Sequence, residues 1–385
     1  MCALRLAWQK PRVATGVLLL AGTLAAFYSA APAAATGARH GRPGAVARHD
    51  IEGLLYAVAA TSAGNVWAVG QTSPPGENDE PDWNALIMRW NGTSWKRVPS
   101  PSPGTGATFT GVAAASARSA WAVGWTDSTK FSPARTVIVH WNGTVWKRVP
   151  TPHPRYAFLN SVAATSGGSA WAVSTPIQPP AVIVGWNGAS WQPAPIPDGA
   201  ADDNGVSGVA ATSARNAWAV GGVPGILHWN GTAWKLMHSP GPAADLAAVT
   251  ATSARNAWAV GSTDSGKTLI DRWNGAVWKR VPGPTPAHGG QLTAVAATSA
   301  HSAWAVGWTG TYKVKTVILR WNGAAWKRAP SPSPGIESVL QGVTATSASN
   351  AWAVGWTFAN YNQATPGRVL ILHWNGKTWK RVPSP

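Results

Sequence analysis

Residues 246–281 read LAAVTATSARNAWAVGSTDSGKTLIDRWNGAVWKRV. Alternation of apolar and polar positions, interrupted by short turn-forming clusters, divides this stretch into four short strands. A first strand is predicted over 246–252, followed by a tight turn at Ser253-Ala254-Arg255-Asn256, a second strand over 257–261 and a third over 268–273. Asn274-Gly275 reads as a two-residue hairpin, because both residue types tolerate positive φ, and it leads into a fourth strand over 276–281. Pro282, Pro284 and Pro286 stop that strand.

The same pattern recurs through the chain. Trp-Ala-Val-Gly begins at Trp67, Trp121, Trp171, Trp218, Trp258, Trp304 and Trp352, with Ser174 in place of Gly in the third copy. Each copy then carries Trp-Asn-Gly-x-x-Trp, starting at Trp90, Trp141, Trp186, Trp229, Trp273, Trp321 and Trp374. Repetition explains the composition: the chain has 26 Trp beside 5 Tyr and 5 Phe, an excess that points to one packing solution used many times. The 21 repeat indoles are therefore expected to be core.

A sheet of four short strands cannot bury both faces alone, so each copy must stack on a neighbour. The first and last copies look like the others, without the atypical caps of an open solenoid, so the stack is expected to close. The predicted fold is all-β, a seven-bladed β-propeller with four antiparallel strands per blade, over residues 51–385. Blade boundaries are placed at 51–104, 105–155, 156–198, 199–242, 243–287, 288–335 and 336–385. The residue before the recurring Val of the first strand is always small (Ala57, Gly111, Ser161, Gly208, Ala248, Ala294, Gly342), which is expected to leave room for an indole.

These repeats resemble those of secreted bacterial propellers related to kelch and tectonin proteins, across residues 51–385. Kelch copies carry a Gly-Gly doublet in the second strand, and here Gly221-Gly222 is the one match. The spacing in Gly92-Thr93-Ser94-Trp95 is also similar to the Asp-box of sialidases, with Trp90 standing where that box has its Asp. The resemblance implies propeller topology and carries neither family's chemistry.

Ahead of the repeats, Arg5, Lys10 and Arg12 precede an apolar stretch over 13–27 and the small residues Ala33-Ala34-Ala35. That order predicts a secretory signal over residues 1–35, cleaved near Ala35, and hence an extracellular protein with no membrane span in the mature chain. Residues 36–50 read as a flexible linker. The single Cys2 falls within the signal, which leaves no disulfide, thiol nucleophile or Cys-dependent copper-radical centre.

Catalytic chemistry needs convergent acids, bases or metal ligands, and the repeats supply none. Glu residues number four (Glu52, Glu77, Glu80, Glu337), and the run Glu77-Asn78-Asp79-Glu80 lacks the Gly-punctuated spacing of a calcium loop. His140, His228 and His373 share one repeat position with Arg89, Arg272 and Arg320, which points to a half-exposed polar site and not to metal ligation. Asn91-Gly92-Thr93, Asn142-Gly143-Thr144 and Asn230-Gly231-Thr232 match a glycosylation sequon but read as turns, since the other copies keep Asn-Gly and drop Thr. No catalytic residue, metal site or cofactor is predicted.

The formal charge is +17, and much of it follows the last repeat Trp, as in Lys96-Arg97 and Lys147-Arg148. On the outer strand of each blade these residues would deter edge-to-edge pairing and ring the circumference. Charge spread in that way argues for adhesion to an anionic cell surface and against a nucleic-acid partner.

Function on a repeat scaffold is expected where the copies differ. The distance from the motif Gly, or Ser174, to the next repeat Trp is 20, 17, 12, 8, 12, 14 and 19 residues in blades one to seven, so the long connections gather on blades seven, one and two. The additional aromatics Trp83, Trp125, Phe131, Trp308, Tyr312, Trp356, Phe358 and Tyr361 follow the same asymmetry, all on blades six, seven, one and two. They are the candidate ligand-binding residues of a non-catalytic scaffold whose partner is an extracellular glycan, protein or peptide. The alternative is a secreted hydrolase or lyase with carboxylates dispersed on its loops.

Overall fold

Asn256–Thr263 pairs on one side with Ala244–Ser253 and on the other with Thr268–Trp273, which in turn pairs with Trp278–Arg280. These are strands B, A, C and D of blade five, all antiparallel. The computed structural model describes residues 50–72, 83–101, 106–126, 135–152, 157–166, 168–176, 181–198, 200, 205–222, 225–241, 244–310, 313–359 and 367–385. Among them the same four-stranded unit occurs seven times in the order A-B-C-D. The expected signal and all of the expected linker except Asp50 lie outside the described residues. Residues 49–385 form one unit, and none of its described segments is a helix long and apolar enough to cross a membrane.

The A strands of successive blades touch one another around the whole circle, including Gly53–Ser62 of blade one against Glu337–Ser347 of blade seven. The fold is thus a closed seven-bladed β-propeller with strand A innermost. Its core lies between blades: seven apolar clusters each span one blade boundary, the last joining Trp352, Val354 and Ile371 of blade seven to Val66, Leu86 and Trp95 of blade one.

Each boundary is built on three indoles. The strand-B Trp of one blade meets the strand-C and strand-D Trp of the next, as Trp218 does with Trp273 (ring centroids 4.9 Å apart, tilted) and Trp278 (5.1 Å, edge to face). Trp352 closes the circle on Trp90 and Trp95 at 4.9 and 5.3 Å. Eighteen of the repeat indoles are buried, but the strand-C indoles Trp90, Trp186 and Trp229 are only half-buried, against the expectation that all 21 are core. The strand-C Nε1 donates to the A–B turn in half-buried and buried copies alike, from Trp229 to Ala214 O and from Trp273 to Ala254 O, both at 3.0 Å. What differs in part is cover from the preceding blade: Arg89, Arg272 and Arg320 lie over Trp141, Trp321 and Trp374 at 5.3–5.5 Å, whereas His373, His140 and Gly185 stand at that position before Trp90, Trp186 and Trp229. Trp273, behind His228, is nonetheless buried.

Three local readings are corrected. The small residue of strand A does not make room for an indole: a Cβ on Gly111, Gly208 or Gly342 would lie 3.0 Å from the Cα of Ser161, Ala248 or Ala57 in the next blade's strand A. Inner strands converge towards the axis, so the close approach there is backbone to backbone. Strand A also carries a bulge in all seven blades, at Tyr56, Thr110, Asn160, Ser207, Ala247, Thr293 and Gln341, which strict alternation hid. The motif Gly answers it, since a Cβ on Gly261 would fall 1.9 Å from the Asp245 carbonyl oxygen.

Finally, the C–D connection is a four-residue loop. Strand D of blade five begins at Trp278, paired with Trp273, and Asn274 Oδ1 accepts from the N–H groups of Ala276 and Val277, both at 2.9 Å. The Asn closes an Asx turn and the following Gly alone takes positive φ (98° at Gly275). The sequon residues Asn91, Asn142 and Asn230 use their side chains in the same way.

The ring is sealed between the segment entering blade one and the last blade. Val369 N–H donates to Ile51 O (3.0 Å) and Gly53 N–H to Gly367 O (2.7 Å), so the segment before blade one lies along strand C of blade seven. Ile51 N–H donates to Ser384 Oγ (2.8 Å), and Arg381 pairs with Asp50.

Candidate functional site on the loop side

Strand direction places all A–B and C–D turns on one side of the ring and all B–C and D–A connections on the other. On this second, loop side, Trp125, Trp308 and Trp356 each follow the motif Gly and are still paired within strand B, opposite Thr108, Gln291 and Val339 of strand A. All three are half-buried. In the remaining blades the same position holds Gln71, Thr175, Gly222 and Ser262.

Two of these indoles reach across a blade boundary to an aromatic that the sequence reading did not single out. Trp125 lies 4.7 Å from Phe158 of blade three, ring centroid to ring centroid. Trp356 meets Tyr56 of blade one edge to face at 5.7 Å. Tyr56 is the bulge residue of its strand A, and burial pushes its phenol pKa well above the usual range. The available signal was size: the bulge position holds Thr, Asn, Ser, Ala or Gln in the other blades and Tyr in blade one.

Between these pairs, at the boundary of blades one and two, Thr108 donates from Oγ1 to Gln71 Oε1 at 2.6 Å, a buried polar contact at the equivalent place. Trp308 occupies that place at the boundary of blades six and seven and has no ring contact among the described residues. Phe358 ends strand B of blade seven, and its ring covers Gly367, where a Cβ would meet Leu54 at 2.9 Å and the Phe358 ring at 3.1 Å. Trp83 is half-buried just before strand C of blade one, and its carbonyl accepts from Gly106 N–H at 2.8 Å. Phe131, Tyr312 and Tyr361, like Glu77, Asp79 and Glu80, lie outside the described residues. Two of the described candidates thus meet an aromatic across a blade boundary, Trp356 between blades seven and one and Trp125 between blades two and three, on either side of the polar Gln71–Thr108 contact. This arrangement offers ring edges and faces to a ligand but no paired acid and base. Among the described residues no group of three His, Cys, Asp or Glu is placed to hold a metal ion.

The position shared by His and Arg lies on the turn side. His228 stacks on Trp218 (4.1 Å) with Nε2 at 2.8 Å from Asn216 Oδ1, and His373 stacks on Trp352 with Nε2 at 2.7 Å from Asn350 Oδ1. Arg89, Arg272 and Arg320 place their guanidinium groups over Trp67, Trp258 and Trp304 at 4.9–5.2 Å. A cation or an imidazole thus lies over the indole in six blades, with Gly185 at that place in blade three, and burial lowers the pKa of His140, His228 and His373.

No protein-family model and no curated protein matches the sequence. Among solved structures the chain is similar to YCF48 bound to D1 peptide, with a TM-score of 0.55 and 14% identity over 90% of this chain and 99% of that one. It is also similar to a protein of unknown function from Dyadobacter fermentans (TM-score 0.51, 11% identity, 84% and 94% covered). A fucose-specific lectin from Aleuria aurantia aligns with a TM-score of 0.48 and 11% identity over 85% of this chain and 95% of the lectin. At such identities the first two likenesses establish the propeller fold and nothing finer.

Proposed function

We propose that this protein is a secreted, non-catalytic binding scaffold that takes a carbohydrate or a peptide on the loop side of blades six, seven, one and two. The observation that carries this reading is the half-buried indole at one strand-B position in blades two, six and seven, where blade one has Gln71 and blades three, four and five have Thr175, Gly222 and Ser262. An indole held at its base by the next blade, as Trp125 is by Phe158 and Trp356 by Tyr56, is oriented before any ligand arrives. Its remaining surface suits stacking on a sugar ring or clamping an apolar side chain, at about 1 kcal/mol per contact. A similar ring in YCF48 is seen with a peptide, which is analogy in favour of a binding role. The kelch- and tectonin-like character of the repeats belongs to the same proposal.

The test is an array of glycans, cell-wall polymers and peptides, followed by Trp356→Ala and Trp125→Ala compared with Ser262→Ala at the equivalent position of blade five. Loss of about tenfold or more in affinity for the two Trp variants, with Ser262→Ala unchanged, is the expected result. Folded Trp variants that bind as well as Ser262→Ala would reduce the aromatic arc to packing. Turnover of a polysaccharide by the purified protein would favour the hydrolase or lyase instead.

A further inference from the structure

The two sides of the ring differ in charge far more than the sequence suggested. Described acidic residues lie on the loop side (Asp50, Glu52, Asp198, Asp245, Asp264, Glu337), apart from Asp271 in mid-sheet. The seven other Asp and Glu of the sequence fall between strands B and C or between D and A. No A–B or C–D turn contains an acidic residue. Basic residues occur on both sides, with Arg135, Lys267, Lys313 and Arg368 exposed among the acids of the loop side, but on the turn side no acid offsets them. Arg118, Arg215 and Arg255 are exposed in A–B turns, Lys377 in a C–D turn, and an exposed Lys occupies the turn-side end of strand D in six blades. That makes ten exposed cations on one side, and both ion pairs found among the described residues lie elsewhere, at Asp271–Arg280 and Asp50–Arg381. The expected even belt of charge is therefore one-sided, which removes the reason for setting a polyanionic partner aside.

Shape and apolar exposure narrow the choice of partner. Six A–B turns are two residues long and all seven C–D loops are four, so the turn side has no long loop to wall a groove. Val145 and Val277, 49% and 48% exposed, stand in C–D loops of this side, and Trp90, Trp186 and Trp229 are half-exposed beside such loops. Apolar tips and half-exposed indoles interspersed with Lys and Arg gain nothing from polyphosphate or from the backbone of a duplex whose bases are already stacked. They match a bilayer interface, where indoles sit at headgroup level and cations face acidic lipids.

We infer that the turn side of the ring docks on an anionic lipid surface. Lys and Arg lie against headgroup phosphates while Val145, Val277 and the strand-C indoles enter the interface. The opposite, acid-bearing side then faces away from the membrane with the aromatic arc accessible. This inference rests on charge and exposure and does not depend on the loop-side reading.

The experiment is sedimentation of the full-length chain with vesicles of phosphatidylcholine containing about a third phosphatidylglycerol, and with phosphatidylcholine alone. Each basic residue near an anionic surface contributes a factor of roughly five in partitioning. The exposed turn-side set Arg118→Gln, Lys147→Gln, Arg255→Gln, Lys279→Gln is therefore expected to lower binding by at least about tenfold. The equally charged loop-side set Arg135→Gln, Lys267→Gln, Lys313→Gln, Arg368→Gln should stay within about twofold, because those residues face away from the bilayer. Val145→Ser with Val277→Ser should weaken binding without changing its salt dependence. Since the N-terminal segment is common to all variants, only differences between them report on the ring, and equal loss in both charge sets, or no loss in the turn-side set, overturns the proposal. So does tighter binding to double-stranded DNA or polyphosphate than to anionic vesicles with the same turn-side dependence, which would mark the face as a reader of linear polyanions. Near-ultraviolet circular dichroism of each variant confirms that the indole core is intact.

Discussion

Two indoles of blade four separate burial from mere repetition. Trp218 is fully buried between Trp273 and Trp278, and Trp229 is half-buried with its N–H bound to Ala214 O. Trp218→Ala is expected to cost about 3–5 kcal/mol through the cavity it leaves, and Trp229→Ala nearer to about 1–2 kcal/mol. Urea midpoints of the two variants check the order, and equal losses would contradict it. The stacked histidines give a second test at this scale. Burial holds His228 and His373 below their usual pKa of 6.5, so the folded state binds fewer protons than the unfolded chain. Stability from these positions is present above that value and is lost as pH falls through it towards the folded-state values. Arg fills the same place over an indole in blades one, five and six, hydrogen-bonded to Asn65 and Asn256 in the first two, and Asn216 and Asn350 await it in blades four and seven. The double variant His228→Arg, His373→Arg should therefore flatten the fall in melting temperature between about pH 7 and pH 5.

At the level of the strand, blade five contains the one buried carboxylate of the described sheets. Asp271 is fully buried, takes Arg280 Nε at 2.5 Å on one oxygen and has no partner on the other. Desolvation raises its pKa despite the guanidinium. A carboxylate with a raised folded-state pKa contributes stability that is fully present below its unfolded value and lost as pH rises through the folded one. Leu319 and Leu372 fill the equivalent position in blades six and seven, opposite Arg328 and Arg381. Asp271→Leu should thus raise stability at pH 7 by about 1–3 kcal/mol, since Arg280 keeps its bond to Pro240 O, and the gain should shrink below about pH 4. A lower urea midpoint at pH 7 would show that the ion pair itself anchors strand D.

For the whole ring, stability is a property of boundaries. Removing blade seven from Val339 onward would strip Trp304 of Trp374 and Trp379, and Trp90 and Trp95 of Trp352, opening two apolar faces at once. The truncated chain is expected to aggregate or to lose its near-ultraviolet circular dichroism. A stable monomer of six blades would mean that the ring can close on fewer copies. Between blades seven and one closure is non-covalent, through Ile51, Gly53 and Asp50 against Val369, Gly367 and Arg381, contacts that stand in for the D–A connection joining every other pair of blades.

Residue order alone determined the number of blades, their four strands and the separation of uniform turns from variable connections, because these follow from local periodicity and from a motif repeated at fixed offsets. It also assigned the additional aromatics to particular blades. It did not show the strand-A bulge or the Asx turn, since one extra unpaired residue and a side chain folded onto its own backbone leave alternation nearly unchanged. Nor did it reveal that Trp67 belongs with Trp141 and Trp146, that Trp125 rests on Phe158, or that Tyr56 meets Trp356 across the closure. Each of those contacts joins different blades, and only the angle at which one sheet stacks on the next brings them within reach. The acid-free turn side has the same origin: apart from Asp271 the acids fall in or beside the B–C and D–A connections or just ahead of blade one, a Lys follows the last repeat Trp in six copies, and up-and-down strand direction separates those positions onto the two sides of the ring.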